Sequence, residues 1–343
     1  MKRAGAASVK GRRFGAPLFR VQVSTKGGNV MALRITFAFL MVVALALVTP
    51  PVAASPQFGE WSAPVNLGPV VNSSAIEFGP AITPNGLSLY ISVFSESKGD
   101  EDIFVSHRQK RTDPWGPPVS LTTINTSANE RVPAFSRDGL IMFFASDRPG
   151  GFGSTDVWMS RRDNPRDDFG WGPPVNLGSG VNTAAGEAGS TLFERADAGE
   201  DEDGDGSGAI LIFNSDRAGS QDLYQSVRAH DGSFAAATEI KELNTPLTDA
   251  RPTIRSDGLE IFFFSNRPGS RQLDLWTATR SRAHDPWSPP VNLGLVVNSA
   301  LSDIQPYLSR DARTLFFGSN RPGSNNGDIW MTTRVRVGEP DHD

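Results

Sequence analysis

From residue 55 onward, apolar and polar positions follow one pattern that recurs about every fifty residues. Each unit opens with an aromatic residue and a short apolar pair, passes through a tight turn into an apolar run, and closes with Asp, an aliphatic residue and an aromatic one. Runs such as 140–144 and 261–264 are apolar at successive positions, which is typical of strands covered on both faces. The pattern predicts four short strands per unit in five units.

Three further positions recur in every unit. The opening aromatic residues are Trp61, Trp115, Trp171, Phe234 and Trp287. Ten or eleven residues later comes an Asn, namely Asn72, Asn125, Asn182, Asn244 and Asn298. The closing motifs begin at Asp102, Asp156, Asp222, Asp274 and Asp328. Because all three positions recur in all five units, the units are copies of one structural repeat rather than separate domains.

A single four-stranded sheet cannot bury both of its faces, whereas sheets stacked radially cover one another. We therefore predict an all-β fold, a five-bladed β-propeller of four-stranded antiparallel blades. The repeat begins with a Val-x-Leu strand, which we expect to be the outer strand of a blade, and it ends with an Asp-x-aromatic strand. The last unit therefore lacks its outer strand, and the first strand is spare. Residues 61–67 should therefore pair beside residues 328–333, so that the N-terminal strand completes the C-terminal blade and closes the ring. Closure removes exposed strand edges.

The repeat resembles the TolB-type, WD-like propeller repeat of bacterial exported proteins. The resemblance rests on Ser136–Gly139, Ser146–Gly150 and Asp156–Trp158 and their copies, and covers roughly residues 57–335. It implies a propeller that binds other envelope proteins. This chain has five units, unlike the six of TolB itself, and it has no separate N-terminal α/β domain of the TolB kind, so the resemblance names no particular partner.

The N-terminal segment has the pattern of a secretory signal peptide. An apolar run from Ile35 to Val48 follows Arg34, and small residues precede Ser55. We predict a basic leader and cleaved signal in residues 1–54, with Met31 as an alternative start, the propeller in 55–337 and a tail in 338–343. A retained signal anchor is the alternative, although the run is short for a membrane span. The expected location is the periplasm or the exterior of the cell.

Charge and composition exclude several classes of partner. Residues 1–34 carry eight basic residues and no acid, and since the whole chain carries −5, the remainder carries −13. Such a body repels phosphate backbones, so we expect no nucleic-acid partner. The chain contains no Cys, which excludes disulfides and a lipid anchor on Cys. The oligomeric state is left open.

Five residues after each repeat Asn stands an acid that we expect near the propeller axis, at the mouth of the central channel. These acids are Glu77, Glu130, Glu187, Asp249 and Asp303. A basic residue follows each apolar run on a loop expected at the same face, namely Lys98, Arg148, Arg217, Arg267 and Arg321. Because a feature shared by every blade is more often structural, we expect these acids to pair with the basic loops. The alternative is a ring of catalytic carboxylates.

An acidic insertion in the third unit contains Asp201, Asp203 and Asp205, followed by Gly206. Alternating carboxylates before Gly match the first half of a calcium loop, but Ile212 stands where a bidentate Glu is expected. A weak calcium site is one interpretation, and a solvated acidic loop is the other. No other cofactor is expected.

The sequence contains no nucleophile elbow, phosphate loop or zinc-protease helix. We therefore expect a non-catalytic exported propeller that binds an envelope protein or a glycan through its loop faces. A glycoside hydrolase that uses carboxylates at the channel mouth is the first alternative, and a multivalent lectin is the second. Hydrolysis requires two carboxyl groups in unequal environments, whereas the repeat makes the five acids alike.

Overall fold

A computed structural model describes residues 58–194 and 208–338 of this protein. Their strands form five four-stranded antiparallel sheets, so the predicted five-bladed propeller is confirmed. The first two blades contain β2 (Ile76–Ile82), β3 (Ser88–Ser95), β4 (Asp100–His107), β5 (Val119–Ser120), β6 (Glu130–Phe135), β7 (Ile141–Ser146), β8 (Asp156–Arg161) and β9 (Val175–Asn176).

The remaining blades repeat this arrangement. The third and fourth contain β10 (Glu187–Phe193), β11 (Ile210–Ser215), β12 (Asp222–Val227), β13 (Thr238–Glu239), β14 (Asp249–Ile254), β15 (Glu260–Ser265), β16 (Asp274–Thr279) and β17 (Val291–Asn292). A single helical turn, α1 (Gly294–Val297), follows. The fifth contains β18 (Asp303–Leu308), β19 (Thr314–Ser319), β20 (Asp328–Thr333) and, from the other end of the chain, β1 (Val65–Asn66). No helix in the described ranges is long and apolar enough to cross a membrane.

The ring closes where the two ends of the described chain meet. Val65 lies opposite Met331 and Asn66 opposite Trp330 in an antiparallel pair, as the order of strands along the chain predicts. A bridge between Phe58 and Arg336 extends the contact beyond the sheet. The fifth blade therefore combines segments that are more than 250 positions apart in the chain.

The core lies in the seams between blades, where the apolar runs of neighbouring sheets meet. The opening aromatic residue of a unit enters the seam with the preceding blade. Trp171 lies against Tyr90 of the first blade, with ring centroids 6.5 Å apart, and Trp61 lies 5.9 Å from Phe262 of the fourth blade. Each blade supplies one such aromatic residue, which we call the aromatic wedge. The hydrophobic contacts of the fold therefore lie mainly in the seams between blades.

The innermost strand of every blade carries a β-bulge two residues after the repeat acid. The register shifts there in all five blades. The residue at the bulge has a positive φ in each case, namely Gly79, Val132, Gly189, Arg251 and Gln305. A β-branched residue such as Val132, at φ 62°, rarely adopts this conformation. The bulge therefore belongs to the repeat and is imposed by the propeller.

The repeat Asn joins neighbouring strands by bonding to the backbone. Asn72 Nδ2 donates to the carbonyl of Ile329 at 3.0 Å, and its Oδ1 accepts from the N–H of Ile329 at 2.8 Å. The other four repeat Asn residues make the same two bonds in their own blades. Asn72 differs because its bonds connect the two ends of the chain across the closure.

We expect Asn72→Ala to destabilise the fold by about 1–3 kcal/mol, because it leaves the buried N–H of Ile329 without a partner. The carbonyl of Ile329 loses one bond and keeps the one from the N–H of Leu67. Chemical denaturation of the variant and of wild type measures the change. The matched control is Asn326→Ala, whose only hydrogen bond in the described chain is exposed and 3.4 Å long. Equal midpoints for Asn72→Ala and wild type would show that the closure does not depend on this Asn.

Candidate functional site

In four blades the repeat acid pairs with the arginine of the following loop. Glu130 lies 3.0 Å from Arg148, and Glu187 lies 3.2 Å from Arg217. Asp303 and Arg321 are 2.5 Å apart, and Asp249 and Arg267 also form an ion pair. All four carboxylates are fully buried. They therefore lie inside the protein and do not line an open channel mouth.

A serine bonds to the arginine in all four of these blades and to the acid as well in the second, third and fifth. In the second blade, Ser146 Oγ donates to Glu130 at 3.0 Å and accepts from Arg148 Nε at 3.1 Å. The N–H of Thr126 also donates to Glu130, at 2.7 Å. A buried carboxylate with this many donors is held in one position, so the arrangement serves to join strands of the blade.

The first blade departs from this arrangement. Lys98 does not reach Glu77; it bonds to Asp102 at 3.0 Å and is largely exposed. The strand register explains the difference, because Val93 lies opposite Glu77 where Ser146 lies opposite Glu130. The position two residues on, which holds the arginine in the second blade, holds a serine here. The first blade thus lacks both partners of its acid, and Lys98 belongs to a longer hairpin.

Glu77 is consequently a buried carboxyl without a cation. Its Oε1 accepts from the N–H of Ser73 at 3.0 Å and from Ser73 Oγ at 2.5 Å. Its Oε2 has no hydrogen-bond partner in the described part of the chain. Burial raises the pKa of Glu77, and the nearby charge of Asp328 raises it further. Glu77 therefore differs from the other four repeat acids in its partners, although the sequence makes all five alike.

The centre of the propeller is occupied by Arg251, at the bulge of the fourth blade. Its side chain passes the bulges of the first and third blades so closely that a Cβ at Gly189 would lie 2.3 Å from Arg251 Cδ. A Cβ at Gly79 would lie 3.0 Å from its Nη2. Burial, with the charge of Arg131 nearby, lowers the pKa of Arg251 well below its usual range. The axis is therefore filled by a side chain at this level.

On the face opposite the buried acids, the ends of all five innermost strands surround a small axial pocket of about 80 Å³. Its one carboxylate among the described residues is Glu194, which is half-buried and follows β10. The N–H of Arg137 donates to Glu194 at 2.6 Å. Burial raises the pKa of Glu194, and the neighbouring charge of Asp138 adds to the rise. The pocket thus contains a carboxyl group whose pKa lies above its ordinary value.

A larger cleft, which we call the closure cleft, adjoins the axial pocket between the first and fifth blades. The closure cleft has a volume of about 980 Å³, within the range of ligand sites. The cleft contains the half-buried ring of Trp115 and the guanidinium groups of Arg108 and Arg111. Four residues line both cavities, namely Ile82, Pro84, Ser309 and Arg310.

The calcium prediction falls on Asp201, Asp203 and Asp205, which lie outside the described residues; it stays a prediction, as do the signal peptide and the expected location. Within residues 58–194 and 208–338, no group of three or more His, Asp or Glu residues could hold a metal ion. Sequence reasoning missed Glu194, because it belongs to no repeated motif. Its position directly after the innermost strand of the third unit was the only signal.

Solved structures share this architecture. The catalytic domain of a GH62 α-L-arabinofuranosidase from Coprinopsis cinerea superimposes with a TM-score of 0.54 at 14% identity, covering 82% of this chain and 98% of its own. An endo-arabinase from Bacteroides thetaiotaomicron gives 0.54 at 13% identity, covering 80% and 99%. TolB from Acinetobacter baumannii gives 0.42 at 17% identity, covering 78% and 56%. No protein-family model matches the chain, and no curated protein matches its sequence.

These likenesses establish the propeller fold, and they correct two expectations. The TolB-type family is not supported, because the TolB likeness is below a TM-score of 0.5. The preference for a non-catalytic binding protein over a glycoside hydrolase was wrong, since propellers that match with a TM-score above 0.5 bear the names of glycoside hydrolases. The glycoside hydrolase alternative is the better supported of the two.

We expect Glu130→Gln and Glu77→Gln to change stability in different directions. Glu130→Gln leaves Arg148 without its charge partner, and breaking a buried pair costs about 3–5 kcal/mol. Glu77→Gln removes a buried charge that has no cation, so the melting temperature at pH 7 should stay the same or rise. Thermal unfolding of both variants measures the difference.

The pH dependence provides the control. Because the folded-state pKa of Glu77 is raised above its ordinary 4.5, ionisation favours the unfolded chain as the pH rises above that value. Any gain from Glu77→Gln should therefore be present at pH 7 and absent at about pH 3.5, where the carboxyl is protonated in both states. A large loss of stability for Glu77→Gln at pH 7, equal to that of Glu130→Gln, would contradict the unequal environments.

Proposed function

We propose that this protein is a glycoside hydrolase whose reaction takes place at the axial pocket. The observation that carries the proposal is Glu194, a half-buried carboxyl with a raised pKa in the pocket where all five blades converge. Glycoside hydrolysis needs a carboxyl group that is protonated at neutral pH and a second carboxylate in a different environment. The raised pKa of Glu194 is in the direction that the first requirement needs, and Glu194 lines the pocket, whereas the buried repeat acids do not.

Asp138, which follows the pocket residues Ser136 and Arg137 but does not itself line the pocket, is the second carboxylate in this proposal. It is exposed, and its charge acts on Glu194. Its Oδ1 accepts from Ser136 Oγ at 2.6 Å and from the N–H of Leu140 at 2.8 Å, which orients the group. Glu194 would donate its proton to the leaving glycosidic oxygen as the C–O bond breaks, while Asp138 accepts a proton from the water that adds to the sugar carbon.

The cavity shape supports a substrate longer than one sugar. The axial pocket alone is too small for a sugar ring, but the closure cleft adjoins it and shares four of its lining residues. A glycan chain lying in the cleft would bring its end to Glu194. The likeness to propellers named as an arabinofuranosidase and an endo-arabinase supports a carbohydrate substrate through the shared fold.

We expect Glu194→Gln to lower kcat on the cleaved glycan by at least 100-fold, since general acid catalysis typically contributes about 10²–10⁴-fold. Glu96→Gln, which changes an exposed carboxylate outside the axial pocket, should have wild-type kcat. The pH profile is the sharper readout. Because the raised pKa keeps Glu194 protonated to higher pH, the wild-type rate should fall only as the pH rises through that pKa, and Glu194→Gln should lose this limb. Hydrolysis by Glu194→Gln with the wild-type profile would refute the assignment.

We also propose that the protein is exported, since the apolar run before Ser55 matches a cleaved signal. N-terminal sequencing of protein collected outside the cytoplasm should then find a chain that begins near Ser55. A mature protein that still begins at Met1 or Met31 would contradict cleavage.

A further inference from the structure

Four seams place an arginine against the aromatic wedge in one shared pose. The guanidinium carbon lies 4.1 to 4.4 Å from the ring centroid in these pairs. In each case the arginine Nε donates to a turn carbonyl of its own blade at 2.6 to 2.9 Å. The four pairs are Arg108 with Trp115, Arg162 with Trp171, Arg280 with Trp287 and Arg334 with Trp61. Because the pose is the same, the surroundings of Arg108 can be compared directly with those of Arg162 and Arg334.

In two of these seams the arginine has a carboxylate partner. Glu260 of the fourth blade accepts two bonds from Arg334, at 2.8 and 2.7 Å, in the two-pronged geometry that suits a guanidinium. Asp168 accepts from Arg162 Nη1 at 3.4 Å. Both carboxylates are nearly buried. In the seams between blades four and five, and between blades one and two, a carboxylate of the protein itself therefore neutralises the charge of the arginine.

The closure cleft has no such carboxylate among the residues that the structure describes. Thr314 occupies the position of Glu260, since each pairs with the last residue of the next strand, Thr333 and Thr279. Thr112 stands three residues before its Trp, as Asp168 does in the second blade. Both places that supply an acid elsewhere therefore hold threonine here, and both threonines line the cleft.

Arg108, Arg111 and Arg310 consequently line the closure cleft without forming an ion pair within residues 58–194 and 208–338. Arg111 is held in place, because its Nε donates to the carbonyl of Asn85 at 2.9 Å. Burial and, after it, the neighbouring Arg111 lower the pKa of Arg108, and the charge of Asp113 offsets them only in part.

Two acids also line the cleft, and both are engaged by backbone N–H groups. Asp113 accepts from the N–H of Lys110 at 2.9 Å. Asp311 accepts from the N–H of Arg313 at 3.1 Å and from Ser309 Oγ at 2.6 Å. The three guanidinium groups outnumber these two carboxylates, so the cleft retains an excess of positive charge in a protein whose overall charge is negative.

We propose that the closure cleft binds an acidic oligosaccharide, with the carboxylate of a uronic-acid residue at Arg108 and Arg111. The ligand carboxylate takes the place that Glu260 has in the seam of Arg334, and Trp115 provides the apolar surface for a sugar ring. Since the cleft adjoins the axial pocket, the next sugars lie toward Glu194. The inference rests on the proposed function and names uronate-containing glycans as its substrate class.

Calorimetric titration of the full chain tests the inference without any requirement for hydrolysis. The probes are the trimers of galacturonic, glucuronic and mannuronic acid, each beside its neutral trimer, with inorganic phosphate as a simple anion. We expect one uronate trimer to bind at least tenfold more tightly than its neutral counterpart, since a charge-assisted pair contributes about 1.5–3 kcal/mol and about 1.4 kcal/mol corresponds to tenfold. The difference should shrink as salt increases.

Thr314→Glu and Thr314→Gln form the matched pair of variants. Thr314→Glu restores the carboxylate found in the fourth blade, so it should pair with Arg108 and weaken uronate binding by about 10- to 100-fold. Thr314→Gln has the same size without the charge and should retain binding within about threefold. Arg111→Gln should weaken uronate binding from the other side of the cleft and leave the neutral trimer unaffected.

Three outcomes would overturn the inference: equal affinity for uronate and neutral trimers, no binding of any uronate trimer, or phosphate binding as tightly as the trimers. Wild-type affinity in Thr314→Glu would show that the ligand lies elsewhere and would overturn it too. The proposed hydrolase activity fails separately. Uronate binding that Thr314→Glu abolishes, with no product formed by wild type, would support the acidic-glycan site and refute hydrolysis.

Discussion

The contact between neighbouring blades is the constraint on which the rest of this structure depends. Each sheet is apolar on both faces, so a blade is stable only when it is covered on both sides. The aromatic wedges and stacked arginines fill the seams, and the strand Val65–Asn66 completes the fifth blade. A ring of this kind has one seam that joins the first blade to the last, and that seam need not repeat the others.

The departures from the repeat concentrate at that seam. Glu77 lacks the serine and arginine that hold the equivalent acids, and it lies near the charge of Asp328 in the fifth blade. Arg108 lacks the carboxylate that Arg162 and Arg334 have. Four blades pair the repeat acid with an arginine, and two seams pair the stacked arginine with a carboxylate. A copy without its charge partner is therefore a candidate for a role other than stability. The closure cleft, with its volume of about 980 Å³, lies at the same seam.

The repeat could be predicted from the sequence because its information is local. Turn residues, apolar runs and the Asn and acid positions recur at fixed spacing, and strand order alone implied the closure. The acid–arginine pairs of four blades followed from the same spacing. The first blade could not be aligned in this way, because its hairpin is longer. Lys98 stands where the repeat has an arginine in sequence, but its side chain does not reach the acid.

The candidate site could not be found from spacing at all. Glu194 and the closure cleft depend on residues that converge from separate blades, and Arg251 reaches the axis only because Gly79 and Gly189 leave room for it. The sequence offered five equivalent acids, and what separates them is burial and partners, which are properties of the folded ring.

The claim that closure of the ring creates the functional site is tested most directly by a crystal structure of the Glu194→Gln variant with the tightest-binding uronate trimer. We expect electron density in the closure cleft, with one sugar carboxylate bonded to Arg108 or Arg111 and the chain directed toward residue 194. A trimer bound on the face of the buried acids, or at another seam, would contradict that claim.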